Sequence, residues 1–359
     1  MCEEISSLRK RIEEIDQGII RLIAERIEIG KEVGKAKIKG NLPMRDLDVE
    51  SKVVGRYVNK LQEIGMSEIS ARNIASILIS ETLEAQYNLK KSKESMKLII
   101  VGGAGKMGGL LCNYFAKKGH EVFVFDRSKS SRFPNVMNFK EAVRVMDFII
   151  VATPISSVRG ILEETISSTP KGVVFDISSI KNSFVDLLKN AAKDGHKVCS
   201  VHPMFGPFVP SFHERNIIVC DCGCKEAVDA TVDLFEGSTA RIIRMSIDDH
   251  DRMMAYVLGM THALNIAFLR ALARSGYDMK SLKEVASTTF SRQLSTSSDV
   301  ASEDANLYYE IQHCNPYNGI AVRQLISAME EIRKAGENED STGFIDIMQS
   351  NLKYLEGGE

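Results

Sequence analysis

The stretch from Lys97 to Asp126, KLIIVGGAGKMGGLLCNYFAKKGHEVFVFD, leaves few folds open. Leu98 to Val101 is a short apolar run rich in β-branched residues, as expected of a strand covered on both faces. Gly103, Gly105 and Gly108 then fit G-x-G-x-x-G. In that pattern the first glycine allows a tight turn, and the second lets a pyrophosphate approach the backbone. The third lets helix and strand pack closely. The helix that opens with Lys106 and Met107 turns its N–H groups and dipole toward the phosphates. Val122 to Phe125 is the next apolar strand, and Asp126 ends it 18 residues after Gly108, where a carboxylate can accept from the adenosine ribose hydroxyls. The stretch predicts a dinucleotide-binding βαβ unit. Asp126 favours NAD, because a 2′-phosphate would be repelled there, and Arg127 beside it keeps NADP open.

A length of 359 residues suggests two or three domains. The net charge of −2 gives no case for nucleic acid or an anionic membrane as partner. No apolar run approaches about 20 residues, so no membrane span is expected. The N-terminal MCEEISSLRK lacks the apolar core of a signal peptide. Seven cysteines, odd in number and scattered, suggest free thiols in a reducing cytoplasm. Cys220, Cys222 and Cys224 follow the apolar run Ile217 to Val219 and lack partners at zinc-like spacing, so no metal is expected.

Ahead of the glycine-rich stretch, Ile5, Leu8, Ile12, Ile15, Ile19, Leu22, Ile29, Val33 and Ala36 alternate by three and four, the pattern of one long helix packing in a bundle. Arg26 sits in that seam, with Arg9 one residue off it and Lys37 near its end. Cations there must be paired, bind an anion or snorkel to water. Asn41-Leu-Pro breaks the helix, Asp46 can cap a second with Glu50 in its first turn, and Gly65 ends it. Ser67 caps a third helix running to about Lys90, on which Thr82 and Gln86 face the same way. Three unequal helices cannot enclose a good core alone, so an intertwined homodimer is expected.

LRKRIEEIDQGIIRLIAERIEIGKEVGKAK, followed by PMRDLD and SETLEAQ, resembles the all-helical chorismate mutase domain found at the head of bifunctional enzymes of aromatic amino-acid synthesis. The resemblance implies chorismate as substrate. Lys37 and Gln86 would donate to the breaking ether oxygen, while Arg26, Thr82 and Arg9 (the last reaching into the partner's site) would hold the carboxylates. Asp46 and Glu50 would face the ring hydroxyl. The rearrangement is one pericyclic step and needs no nucleophile or general base; it needs a held conformer and stabilised charge. One further arginine of the family pattern falls on Val49, for which Arg45 is the candidate substitute.

Beyond the polar linker Lys90 to Ser95, buried strands are expected at Phe148 to Ala152, Val173 to Asp176 and Val198 to Val201. The β-α alternation predicts a parallel, Rossmann-like sheet. Thr153-Pro154 ends one strand, Ser179 and Lys181 follow another, and His202 lies in a loop, HPMFGP, after a third. Ligands sit at such strand ends, and a histidine there can take a proton from a hydroxyl as hydride leaves its carbon. His250 and His262, twelve apart on a long helix, are read as facing broadly the same way; a serine-rich tract, SRQLSTSSDVASEDAN, then joins the later helices.

GGAGKMG, ATP, DISSIKN and HPMFGP, in that order, resemble prephenate dehydrogenase over about residues 96 to 355. That resemblance implies oxidation of prephenate by NAD with loss of carbon dioxide. His202 would be the base, Ser179 a second hydroxyl contact, and Lys181 a support of its loop. His250 and His262 would lie near the substrate. The family's carboxylate-clamping arginine falls on Asp299, and Arg292 is the nearest candidate. Thr153 and Pro154 would border the cofactor. The expected organisation is a helical mutase domain (1–92), a dinucleotide-binding domain (96–245) and a helical substrate and dimerisation domain (246–359). A β-hydroxyacid dehydrogenase would share the glycine turn but explains neither the N-terminal helices nor HPMFGP. An inactive mutase-like domain, arogenate in place of prephenate, and tyrosine as feedback inhibitor stay open.

Overall fold

A computed structural model of the chain describes residues 2–87, 89, 94–128, 132–209, 211–338 and 341–357. Lys90 to Lys93 of the polar linker and the terminal Gly358-Glu359 lie outside them.

The N-terminal part is three helices: α1 (Cys2–Lys39), α2 (Leu47–Gln62) and α3 (Glu68–Tyr87). α1 is a single rod, roughly 57 Å at 1.5 Å per residue. Asp46 caps α2 by accepting from the Val49 N–H at 3.1 Å. Gly65 takes a left-handed φ of 85° after α2, and the Ser67 hydroxyl accepts from the Ser70 N–H at 3.2 Å ahead of α3. α3 buries Ala71, Ala75, Ile79 and Leu83; its small residues let it lie close to its neighbours. The N-terminal half of the α1 seam is uncovered: Ile5, Leu8, Ile12, Ile15, Ile19 and Leu22 are each 46–63% exposed.

Next come β1 (Lys97–Val101), α4 (Lys106–Lys117), β2 (Glu121–Phe125), α5 (Phe139–Ala142), β3 (Phe148–Val151), α6 (Ile155–Ser167), β4 (Val173–Asp176) and α7 (Val185–Lys193). β5 (Val198–Pro203), β6 (Asn216–Asp221), α8 (Lys225–Leu234) and β7 (Arg241–Ser246) complete the sheet, in the order β2-β1-β3-β4-β5-β6-β7. β1 to β5 are parallel, as expected, but β6 runs antiparallel to β5. The described residues between the two strands form turns and no helix, and a return without a crossover helix favours the antiparallel direction. Leu98, Ile100, Phe115, Phe175 and Phe235 pack together as the buried core under this sheet.

The remainder is helical: α9 (Ile247–Met254), a π-helical segment (Ala255–Met260), α10 (Thr261–Ala273), α11 (Met279–Glu284), α12 (Thr288–Ser302), α13 (Ala305–Cys314), α14 (Asn318–Glu337) and α15 (Ser341–Leu355). The serine-rich tract, read from sequence as a connection, is mostly α12. Ser287 caps it at the Phe290 N–H, and Ser298 and Ser302 donate back to the carbonyls of Leu294 and Ser298, each at 2.7 Å. Ile247–Ala273 is long and apolar enough to cross a membrane by length and composition alone, which the sequence reading did not anticipate. In the fold the π segment and α10 pack against α14 and α12, while Met253, Tyr256, Val257 and Ile266 stay exposed.

Two compact units result. One comprises Met1–Thr153, Glu164–Ile177 and Ala191–Arg244; the other comprises Pro154–Glu163, Ser178–Asn190 and Met245–Glu359. The N-terminal helices and the sheet thus share a unit.

Candidate functional site

In the helical part, Arg26 donates to the Leu78 carbonyl at 2.5 Å and to the Thr82 hydroxyl, which itself donates to that carbonyl at 2.8 Å. The close approach of α1 and α3 depends on two glycines. A Cβ on Gly30 would lie 2.3 Å from Thr82 Cγ2, and one on Gly34 would lie 3.0 Å from Gln86 Cγ. Arg26, Thr82 and Gln86 are thereby gathered, as the sequence predicts. Gln86 is 6% exposed, and its Oε1 has no hydrogen-bond partner among the described residues. An unpaired buried polar atom costs about 1–3 kcal/mol, so it marks a place where a ligand can supply the partner. Lys37 donates to the Met44 carbonyl at 2.6 Å. Arg9 is exposed on the uncovered half of α1.

Arg45 forks Glu50, with Nε at 3.0 Å from Oε1 and Nη2 at 3.1 Å from Oε2; that hydrogen bonding raises the arginine's pKa above its usual value. The candidate substitute for the arginine missing at Val49 is therefore already engaged with one of the predicted site carboxylates. Val49 itself is 53% exposed on α2.

At the glycine-rich turn, Gly102 is the residue in the left-handed region, at φ 84°, and a Cβ there would lie 2.5 Å from the Ala152 carbonyl oxygen. The G-x-G-x-x-G pattern assigns the tight turn to Gly103, its first glycine. Gly103 instead serves packing, since its Cβ would meet Val124 at 2.7 Å. Gly105 is the N-cap of α4, and a Cβ on Gly108 would lie 2.2 Å from the Gly102 carbonyl, so α4 closes directly onto the loop. The Asp126 carboxylate accepts from the N–H groups of Ala104 at 3.0 Å and Ser128 at 2.9 Å, which ties the end of β2 to the glycine loop. Lys106, in the first turn of α4, lies 5.2 Å from the centroid of the exposed Phe208 ring. Thr153 Oγ1, just after β3, is buried without a partner among the described residues. A bare-backbone turn, helix N–H groups, an acid at the second strand end and an orphaned hydroxyl fit a dinucleotide.

His202 differs from its predicted place. It lies in β5 opposite Ile218, 4% exposed, and the loop begins only after Pro203. The antiparallel partner β6 extends the strand past the expected end. Ser200, two residues earlier and so on the same face, donates to the buried Asp176 carboxylate at 2.5 Å.

In the second unit, Asp251 is the organiser that the sequence reading missed. Its carboxylate accepts from the Lys181 N–H at 3.0 Å and the Asn182 N–H at 2.7 Å, and it lies 2.7 Å from His250 Nδ1. It thus pins the segment carrying Ser179 and the buried Lys181 to α9 while fixing the His250 ring. The acid run Asp248-Asp249-His250-Asp251 hides which acid does this. The His262 ring lies against that of Tyr308, tilted 46° with centroids 4.5 Å apart, and burial lowers its pKa below the ordinary value. At uninterrupted α-helical pitch, twelve residues would turn His250 and His262 about 120° apart, so their spacing alone does not put them on one face. The π segment between them, at roughly 4.4 residues per turn, takes out on the order of 110° of that rotation and returns them toward one face. Gln312 donates to the Gly259 carbonyl in that segment at 2.7 Å. Arg292 and Asp299 are both exposed on α12, seven residues apart on one helix face.

Three family models match the chain: "Chorismate mutase type II" over residues 8–87, "Prephenate dehydrogenase, nucleotide-binding domain" over 127–244, and "Prephenate dehydrogenase, dimerization domain" over 246–350. The chain is 24% identical to the T-protein of Haemophilus influenzae over 348 residues, 96% of this chain and 90% of that one. It is 34% identical to the chorismate mutase of Methanocaldococcus jannaschii over 89 residues, 24% of this chain and 90% of that one. In fold it is similar to prephenate dehydrogenase from Aquifex aeolicus, solved with hydroxyphenyl propionate and NAD+, with a TM-score of 0.61, 17% identity, and coverage of 74% of this chain and 99% of that one. A mutase-type helical trio and both parts of a dehydrogenase thus run in order along nearly the whole length, and the chain belongs to the bifunctional chorismate mutase/prephenate dehydrogenase family.

Proposed function

We propose that the chain rearranges chorismate to prephenate and then converts prephenate, with NAD, to 4-hydroxyphenylpyruvate and carbon dioxide on the route to tyrosine. The observation that carries it is the Arg26–Thr82 pair beside the buried Gln86 amide, whose Nε2 is the donor for a substrate oxygen. A substrate there meets cations and donors and no nucleophile. Arg26, Thr82 and a partner's copy of Arg9 hold carboxylates, Lys37 and Gln86 donate to the ether oxygen as its bond breaks, and Asp46 and Glu50 face the ring hydroxyl.

For the oxidation, Gly103, Gly105, Lys106, Met107 and Gly108 would hold the dinucleotide phosphates, Asp126 the ribose hydroxyls, and Thr153 and Pro154 would border the cofactor. NAD supplies the acceptor for the hydride that leaves the ring carbon bearing the hydroxyl. His202 takes the hydroxyl proton as hydride leaves, the ring carboxylate then departs as carbon dioxide while its C–C electron pair makes the ring aromatic, and the proton returns to the resulting phenolate oxygen. Ser179 is a second hydroxyl contact, Lys181 supports its segment, His250 and His262 line the substrate, and Arg292 holds a carboxylate. Initial rates with prephenate or arogenate, each with NAD or NADP and with tyrosine added, test the assignment. Prephenate with NAD should be fastest and tyrosine should inhibit; equal or faster rates with arogenate or NADP would refute the substrate or cofactor choice.

The functional boundaries are 1–92, 96–245 and 246–359. The uncovered α1 seam supports a homodimer in which a second copy covers Ile5 to Leu22, and scattered thiols support the cytoplasm. Sedimentation should give two chains per particle; a monomer at assay concentration would leave Arg9 without a partner site.

A further inference from the structure

Lys118 has no part in the chemistry above, yet it is 3% exposed, and a buried ammonium requires compensation. It is the C-cap of α4, at the opposite end of that helix from the glycine loop. Its Nζ donates to the Tyr87 carbonyl at 2.9 Å and to the Gly237 carbonyl at 2.7 Å, and lies 5.7 Å from the Tyr114 ring centroid. Tyr87 is the last residue of α3, directly after Gln86. Carbonyls in a final helical turn have no intrahelical donor, so a cation there both satisfies one and opposes the helix dipole. Glu84, between Thr82 and Gln86, accepts from the Thr239 hydroxyl at 3.3 Å. The turn of α3 that carries the mutase donors is therefore gripped twice by the sheet part of the chain, once through a charge.

We propose that Lys118 is a positioning residue of the mutase site: by holding the Tyr87 carbonyl it sets the last turn of α3, and so Gln86, against the breaking ether oxygen. This rests on the mutase assignment above. It makes one side chain of the dehydrogenase part a requirement for full mutase activity, although it touches neither chorismate nor prephenate. Gly34 narrows the play available to Gln86 from the α1 side, and Lys118 removes it from the other.

The test uses the full-length chain. Lys118→Met keeps the apolar stem and removes the donors. It should lower mutase kcat about 10- to 100-fold, the scale of a sub-ångström to ångström misplacement, with KM for chorismate nearly unchanged. Dehydrogenase kcat and KM, measured from prephenate, should stay at wild-type values. In a Gln86→Ala background the same substitution should cost almost nothing more, because the residue acts through Gln86. Lys118→Arg should recover part of the loss. If Lys118→Met fails to fold, Lys118→Gln, which keeps a donor, enters the same cycle. A folded variant with wild-type mutase kcat, an equal loss in both activities, or a full additional loss in the Gln86→Ala background would each overturn the proposal. An inactive wild-type mutase would instead refute the underlying assignment.

Discussion

Replacing His202 with asparagine is expected to lower dehydrogenase turnover by about 10²–10⁴-fold, the usual contribution of a general base, while chorismate consumption continues at the wild-type rate. The backbone supports a clean test. His202 is held in β5 by its pairing with Ile218, which asparagine preserves, and the neighbouring Ser200–Asp176 hydrogen bond does not involve the ring. Asparagine can still hydrogen-bond but cannot accept a proton at neutral pH. The mutase rate in the same preparation reports folding. A variant with near-normal NADH formation would remove His202 from the mechanism.

Arg26→Ala is expected to abolish mutase activity, a loss of at least about 10²–10³-fold in kcat/KM, because a preorganised cation that meets substrate charge is lost. Dehydrogenase activity from supplied prephenate should be largely intact. The substitution leaves no orphan behind it on α3, since the Leu78 carbonyl still accepts from the Thr82 hydroxyl. Its effect is therefore on the ligand more than on the helices. Equal loss of both activities would count against two separate sites.

β1, β3 and β4 were legible because they are buried on both faces and so read as apolar runs; Val173–Asp176 is found at its expected bounds. Helix caps at Asp46 and Ser67 were legible because the side chain that signals them also makes the bond. Arg26, Thr82 and Gln86 were legible as polar residues at helical spacing on otherwise apolar faces. What escaped depends on distant partners. The direction of β6 and the strand position of His202 follow from a pairing invisible in local pattern. The left-handed turn at Gly102 rather than Gly103 follows from the approach of the Ala152 carbonyl. The π segment needs Gln312, 53 residues beyond Gly259, to satisfy its carbonyl, so no local periodicity announces it. Lys118 looks like an ordinary surface lysine after a helix until the Tyr87 carbonyl is placed against it.

The most direct measurement supplies the purified chain with chorismate and NAD alone and follows chorismate loss and NADH formation together. Chorismate should fall first, NADH should follow after a lag as prephenate accumulates, and the final yield should approach one NADH per chorismate with carbon dioxide released. Chorismate loss without NADH, or NADH from added prephenate while chorismate remains untouched, would contradict a chain that carries both reactions.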